Sequence, residues 1–378
     1  MFKNQIAVQD QPPKCLALNC YRIKISGGKK MGLPENCKLN LYSKWPHGKR
    51  NLISDVPGVT VGHATIDEGD VHTGVTALLP HQGNLFRDKV MAGVQVINGF
   101  GKSAGLVQVE ELGTIETPIL LTNTLNVGTV SEALTRYMLE QNKDIGVTTG
   151  TVNCVVTECN DGRLNDIRGL HVKETHVQEA LETASEEFEE GAVGGGTGMV
   201  CMGLKGGIGS SSRTVNVDGQ NFTVGALVMS NFGEPGNLVI GGKHYDTRKC
   251  ISGCKKDKGS IIMILATDIP LSERQLKRVA RRSMIALGRC GSYSGNGSGD
   301  IAIAFTTANH LPHYSRKRIL DMKMFYDEEI DMVFESAVEA VEEAIISSLY
   351  HAKTMTGIRG NTVMGLQEFL EKYENRAD

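Results

Sequence analysis

The chain has 378 residues, of which 40% are hydrophobic and 22% are charged, and its formal net charge is −3. This balance provides no basic surface for nucleic acid or an anionic membrane, so we expect a globular protein whose partner is a small molecule. No segment approaches the ~20 consecutive apolar residues of a membrane span, and the first residues contain no signal peptide, so the sequence predicts a cytoplasmic protein.

Residues 1–50 are rich in Lys, Asn, Pro and Gly and show no sustained hydrophobic period. We predict that they are an N-terminal extension, poorly ordered or lying on the surface, and that residues 51–378 form a single domain. No Pro- or Ser-rich linker divides that domain.

Helices and strands are mixed along the body. An acidic segment with one apolar face predicts a helix over 174–190, and an acidic first turn begins another over about 327–351. Between them, Ser272 and Gln275 have the spacing of a capping box at the start of a third helix. Short apolar runs predict strands over 199–204, 222–229, 261–266 and 301–305. This pattern is typical of a layered α/β protein.

Nine cysteines are spread along the chain, and their odd number argues against a disulfide framework. Cys250 and Cys254 are the closest pair, but no second cluster completes the spacing of a zinc site. We therefore predict reduced thiols, no metal and no cofactor.

A glycine-rich run from Gly191 to Gly198 follows the acidic helix and precedes a strand. A phosphate-binding loop needs the opposite order, a strand before it and a helix after it. We interpret the run as a helix C-cap and a turn.

A charged loop meets an apolar strand at Gly259 and Ser260. A serine at such a boundary can attack the preceding carbonyl, and a glycine there removes side-chain hindrance. Hydrolysis of the resulting ester leaves Ser260 with a free α-amine, which titrates near ~8 and can act as general base for the serine's own hydroxyl. A Gly-Ser turn before a strand is equally an ordinary structural feature.

Ser298 and Asp300 stand two residues apart at the start of the strand over 301–305, so their side chains share one face. Such a pair can hydrogen-bond an amine or a hydroxyl and fix its orientation. The structural alternative is a Ser/Asp turn at a strand start.

Taken in order, eight segments resemble the DmpA-type family, which comprises L-aminopeptidase/D-esterase (D-amidase) enzymes and β-peptidyl aminopeptidases. The segments are residues 51–63, 117–128, 158–162, 194–198, 230–233, 259–268, 297–305 and 354–363. The resemblance implies a four-layer αββα sandwich of the DmpA and ornithine acetyltransferase type. It also implies one precursor, cut between Gly259 and Ser260 into an α chain of residues 1–259 and a β chain of residues 260–378.

The resemblance also implies roles for individual residues. Ser260 is the N-terminal nucleophile, and Ser298 and Asp300 contact its hydroxyl or its amine. Asn231 supplies a side-chain amide to the oxyanion hole, and Glu158 receives the free amino group of the substrate, as a fixed anion can by charge-assisted hydrogen bonding.

Two positions depart from the family pattern. Asn160 stands where the archetype has a tyrosine near the oxyanion, so Asn160 is a candidate pocket residue. Asp300 stands where the β-peptide-cleaving members have a glutamate. His63 lies in the first matching segment, but a nucleophile with its own α-amine needs no imidazole, so we predict a structural histidine.

The predicted activity is removal of N-terminal amino acids from small peptides, amides or esters, by a tetramer of processed pairs. One alternative is an acyltransferase like the ornithine acetyltransferases, although their nucleophile is a threonine. The other is an uncut, non-catalytic binding protein of the same fold.

Overall fold

The computed structural model describes residues 33, 39, 41–250 and 259–373. Most of the predicted N-terminal extension lies outside these residues. Its last ten residues contact the body: Ser43 Oγ and Lys44 N donate to the Glu339 carboxylate at 3.1 Å each, and Thr214 N donates to Pro46 O at 2.7 Å. For the part of residues 1–40 outside the described residues, the predicted N-terminal extension is not tested.

The strands of the described residues are β1 (Thr60–Glu68), β2 (Val71–Leu79), β3 (Asp88–Gly99), β4 (Thr114–Ile115), β5 (Ile119–Asn123), β6 (Val155–Cys159), β7 (Val200–Cys201), β8 (Leu204–Lys205), β9 (Gly207–Val217), β10 (Gln220–Asn231), β11 (Leu238–Ile240), β12 (Lys243–Tyr245), β13 (Ser260–Thr267), β14 (Gly299–Pro312), β15 (Met355–Thr356) and β16 (Thr362–Val363). The α-helices are α1 (Leu106–Leu112), α2 (Val127–Gln141), α3 (Glu174–Glu182), α4 (Glu273–Arg289), α5 (Asp331–His351) and α6 (Leu366–Tyr373).

Two sheets dominate the domain. One has the strand order β1-β2-β5-β6, antiparallel except for the parallel pair β5 and β6. The other has the order β4-β3-β14-β13-β10-β9, antiparallel except for the parallel pair β13 and β14.

The buried apolar side chains form three large clusters, and each cluster joins two neighbouring layers of the domain. One cluster joins the facing sides of the two sheets and includes Leu121, Val155, Ile262 and Ile303. A second joins the outer side of the six-stranded sheet to α4 and α5. A third joins the outer side of the four-stranded sheet to α2 and α3. Because side chains alternate along each strand, each sheet buries both faces, and the predicted αββα sandwich follows.

The predicted capping box is confirmed. Gln275 N donates to Ser272 Oγ at 3.3 Å, and Ser272 N donates to Gln275 Oε1 at 3.0 Å. The predicted strands over 222–229, 261–266 and 301–305 fall inside β10, β13 and β14, and α5 occupies most of the predicted helix over 327–351.

The prediction of a helix over 174–190 is wrong beyond Glu182. The hydroxyl of Thr183 donates to Glu179 O at 2.8 Å, and Ser185 then pairs with Val61 at the edge of β1. Phe188 is buried between the sheets instead of on a helix face.

The predicted strand over 199–204 is also wrong. Met202 (φ 52°) and Gly203 (φ 82°) turn the chain between β7 and β8, because both residues adopt the left-handed region. The glycine-rich run is not a helix C-cap, since α3 ends earlier; Gly194–Gly196 form a buried 3₁₀ turn.

The five described cysteines, at positions 154, 159, 201, 250 and 290, are buried free thiols, as predicted. No helix in the described part of the chain combines the length and the hydropathy that crossing a bilayer requires.

Candidate active site

Two predicted site residues, Asn231 and Ser260, meet at one end of the six-stranded sheet with Gly299, which lies between the predicted residues Ser298 and Asp300. Asn231 ends β10, Ser260 begins β13 and Gly299 begins β14. Asn231 is the antiparallel partner of Ser260, and Gly299 is its parallel partner. Backbone pairing therefore brings together residues that are far apart in sequence.

The carbonyl oxygen of Gly259 accepts two hydrogen bonds at the start of β13. Ser260 Oγ donates to Gly259 O at 2.8 Å, and Gly299 N donates to the same oxygen at 3.2 Å. A Cβ at position 259 would lie 2.6 Å from Phe232 Cα and 2.8 Å from Asn231 C. The space before Ser260 thus admits only glycine without a backbone shift.

The Asn231 carboxamide is held at both ends by backbone groups. Oδ1 accepts from Val200 N at 2.9 Å, and Nδ2 donates to Asn160 O at 3.0 Å. A donor on one side and an acceptor on the other fix which end is the nitrogen. Because Nδ2 carries two hydrogens, one N–H stays available to an oxyanion.

Ser298 and Asp300 share one face, as predicted. Both are buried, and Ser298 Oγ donates to Asp300 Oδ1 at 2.5 Å. They flank Gly299, the strand partner of Ser260. Asn98 Nδ2 and Phe100 N both donate to Ser298 O and anchor the start of β14.

Glu158 comes from the other sheet, near the end of β6. Its side chain is buried; Oε1 accepts from Lys102 N at 2.8 Å, and Oε2 accepts from the Thr124 hydroxyl. A Cβ at Gly101 would lie 3.7 Å from both Glu158 Oε1 and Gly299 Cα, so this glycine lies between the carboxylate and the start of β14.

The sequence analysis missed Thr124 and the backbone of Lys102, because neither residue type signals such a role without the fold. Thr124 directly follows β5, whose residues Thr122 and Asn123 pair with the end of β6. The signal that could have indicated Thr124 is its hydroxyl, which comes directly after β5, the strand that pairs with Glu158.

Asn160 contacts the site through its backbone carbonyl, not through its side chain. Its side-chain Oδ1 accepts from Gly162 N at 3.0 Å within its own turn, while its carbonyl oxygen accepts from Asn231 Nδ2.

The next residue, Asp161, is fully buried, and burial raises the pKa of its carboxyl to about 6.

His63 has a structural environment. Its Nδ1 lies 2.9 Å from Thr76 Oγ1 and its Nε2 lies 3.1 Å from Glu189 O, and burial lowers its pKa to about 4. Both ring nitrogens are engaged, so this imidazole is not arranged as a catalytic base.

One group of described residues brings three metal-ligand atoms together: His81, Asp88 and His310. Asp88 begins β3, at the opposite end of that strand from Gly99. His81 Nδ1 accepts from Gly83 N at 3.0 Å and Nε2 lies 2.8 Å from Asp88 O, so this imidazole has no free lone pair to give a metal.

Residues 51–363 match the model of peptidase family S58. Beta-peptidyl aminopeptidase BapA of Sphingosinicella microcystinivorans is 38% identical over 361 residues, which cover 87% of this chain and 90% of that protein. The crystal structure of the PH0078 protein from Pyrococcus horikoshii is 51% identical, with a TM-score of 0.84 over 89% of this chain and 98% of that one.

A third relative is the L-aminopeptidase D-Ala-esterase/amidase of Ochrobactrum anthropi, described as a prototype for the serine aminopeptidases and a variant of the Ntn hydrolase fold. It is 39% identical, with a TM-score of 0.81 over 89% of this chain and 98% of that one.

Proposed function

The chain belongs to peptidase family S58 and is a serine aminopeptidase, and on this premise we propose that Ser260 is its N-terminal nucleophile, released by a cut between Gly259 and Ser260. The observation that carries the proposal is the register of three strands, which places Asn231, Ser260 and Gly299 side by side.

The cut begins with attack of Ser260 Oγ on the carbonyl carbon of Gly259. The C–N bond breaks, an ester to Oγ forms, and the nitrogen takes up the hydroxyl proton and leaves as the α-amine of Ser260. Water then hydrolyses the ester, which gives a carboxylate on Gly259 and a free hydroxyl on Ser260. The Gly299 N–H supports this route, because it already donates to the oxygen on which negative charge develops.

In turnover, the α-amine takes the proton of Ser260 Oγ as this oxygen attacks the substrate carbonyl. The free Nδ2–H of Asn231 stabilises the oxyanion, a contribution of about 3 kcal/mol for one such donor. The proposed role of Ser298 and Asp300 is to orient the amine, and their position on either side of the strand partner of Ser260 supports it. The tetrahedral intermediate collapses with cleavage of the substrate's C–N or C–O bond, and the α-amine gives its proton to the leaving amine or alcohol. Water then hydrolyses the ester on Ser260 and releases the acyl group as a carboxylic acid.

Glu158 is the proposed acceptor for the substrate's ammonium group. Its carboxylate is buried and held by two donors, so it presents a fixed negative charge. We propose small peptides, amides or esters with a free N-terminal amine as substrates. The relatives' names include β-peptidyl, L-amino acid and D-alanyl substrates, and a free amine is the feature these share.

Ser260 and Glu158 argue against the acyltransferase alternative, since the acetyltransferases use a threonine and a peptide N-terminus suits a carboxylate acceptor. We also propose a cytoplasmic location and a homo-oligomer, a tetramer of processed pairs. Large exposed apolar side chains support the oligomer: Val107 is 82% exposed and Ile319 is 83% exposed. Light scattering on the purified enzyme measures the assembly.

The test of the nucleophile is intact-mass analysis and N-terminal sequencing of wild type, Ser260→Ala and the exposed control Ser315→Ala. Wild type and control should give fragments of about 28 and 13 kDa, in proportion to their 259 and 119 residues, and the smaller should begin Ser-Ile-Ile-Met. Ser260→Ala should stay uncut and release nothing from an aminoacyl anilide. A cut Ser260→Ala chain, or an uncut wild type, would show that the proposal is wrong.

A further inference from the structure

Lys205 is a buried lysine close to the proposed oxyanion site; burial lowers the pKa of its ammonium group to about 7, and the charges of Asp67 and Asp161 oppose this shift. Its side chain is fully buried, and Nζ donates to the carbonyl oxygens of Gly196 at 3.3 Å, Met199 at 2.9 Å and Gly206 at 2.7 Å. An ammonium group has three N–H donors, so these carbonyls use all of them. Lys205 forms no ion pair with a carboxylate of the described residues.

A continuous chain of hydrogen bonds leads from this ammonium to Asn231. The carbonyl of Met199 and the N–H of Val200 belong to the same peptide group. Lys205 Nζ donates to the carbonyl end, and the N–H end donates to Asn231 Oδ1 at 2.9 Å. The other end of that carboxamide is the proposed oxyanion donor.

A hydrogen bond at one end of an amide polarises the group and strengthens the bond at its other end. In a chain that begins with protonated Lys205, the form that the three carbonyl acceptors favour, each successive N–H becomes a better donor. The last N–H in this chain, on Asn231 Nδ2, is the one that would face the oxyanion.

The backbone around Lys205 has its own supports. Its amide N donates to Met364 O at 2.8 Å, and Gly206 N donates to Met199 O at 3.0 Å. Lys205 and Val200 are also register partners across the β7–β8 hairpin. The hairpin is therefore held without the ammonium, whose burial is costly because no carboxylate of the described residues forms an ion pair with it.

We propose that Lys205 is a positioning residue of the oxyanion site. Its ammonium fixes and polarises the Met199–Val200 peptide, which in turn orients the Asn231 carboxamide and strengthens its remaining N–H. This inference rests on the proposed role of Asn231. Because the oxyanion exists only in the transition state, Lys205 supports kcat and not substrate affinity.

The test is a double-mutant cycle of Lys205→Met and Asn231→Ala in the full chain, with rates expressed per cut chain from intact-mass spectra. Asn231→Ala should lower kcat by about 10²–10³-fold, and Lys205→Met by about ten- to a hundredfold with KM unchanged. In the double variant Lys205→Met should add almost nothing, since its effect passes through Asn231. Lys143→Met removes an exposed lysine and should match wild type. A variant that is cut slowly is incubated until enough cut chain has formed for kcat to be measured.

Multiplicative effects in the double variant would overturn the proposal, because Lys205 would then act independently of Asn231. Lys205→Gln keeps donor hydrogens without the charge, so wild-type kcat in this variant would show that the charge is not needed. Failure of both Lys205 variants to fold would assign Lys205 to folding alone and equally overturn it. A wild-type kcat in Asn231→Ala is a different failure, because it removes the oxyanion role of Asn231 itself.

Discussion

Alanine in place of Gly259 tests whether close packing before Ser260 controls self-cutting. The added Cβ would lie 2.6 Å from Phe232 Cα and 2.8 Å from Asn231 C. Ordinary carbon contacts begin near 3.4 Å, and both atoms belong to the backbone, which cannot rotate away as a side chain can.

The size of the effect follows from the displacement. The nearest atom to the added Cβ would be Asn231 O, closer than Phe232 Cα, so relief of the overlap requires that the start of β13 move by at least about 1 Å away from β10. A misplacement of about 1 Å in a reacting group can cost about 10²-fold in rate. Since Ser260 is the next residue, we expect Gly259→Ala to be cut at least about 10²-fold more slowly than wild type.

The assay is a time course of intact-mass spectra, with thermal unfolding to show that the variant is folded. Gly288→Ala is the matched control: this glycine lies in α4 with open space around it, so alanine should leave cutting unchanged and stabilise the helix by about 0.5–1 kcal/mol. Cutting of Gly259→Ala at the wild-type rate would refute the packing argument.

Three further predictions concern charge and hydrogen bonding. Glu158→Gln should raise KM for substrates with a free amine by about tenfold or more, because a charge-assisted hydrogen bond contributes about 1.5–3 kcal/mol. Unchanged kinetics would exclude Glu158 as the ammonium acceptor. Ser298→Ala should lower kcat more than KM rises, because the amine loses an orienting hydroxyl; steady-state kinetics separate the two. Burial alone would raise the pKa of Glu343, but a hydrogen bond from His47 and the charge of Arg213 lower it to about 2. The ionised form therefore stabilises the fold above pH 4.5, and this contribution is lost as pH falls towards 2. In urea unfolding, the free energy of unfolding of wild type should fall by up to about 3 kcal/mol more than that of Glu343→Gln over this range. Parallel pH dependences of the two proteins would contradict the prediction.

The fold followed from sequence wherever one local signal agreed with the tertiary environment. The capping residues Ser272 and Gln275 began α4 as expected, because a cap depends on neighbouring backbone groups alone. The prediction of a helix beyond Glu182 failed for the opposite reason. The apolar period continues there, but Ser185 pairs with Val61 at a sheet edge instead of continuing the helix.

The site residues came from resemblance, because no local pattern distinguishes Ser260 from an ordinary serine after a turn. Lys205 escaped notice although its neighbours gave a signal. It is a single lysine in an apolar, glycine-rich stretch of residues 199–209, where a charged side chain has little access to water. Its partners are backbone carbonyls, which no sequence pattern specifies.

The two halves of the proposed site come from different sheets, and one hydrogen bond links them. Asn231 Nδ2 on β10 donates to Asn160 O, and Asn160 stands two residues after Glu158. Two extended residues span about 7 Å of backbone, so the proposed ammonium acceptor and the proposed oxyanion donor are held at a fixed separation. A second substrate residue between amine and scissile carbonyl would add about 3.5 Å. If Glu158 and Asn231 have the proposed roles, the packing of the sheets favours removal of one N-terminal residue at a time, because the fixed separation limits the length of what is removed.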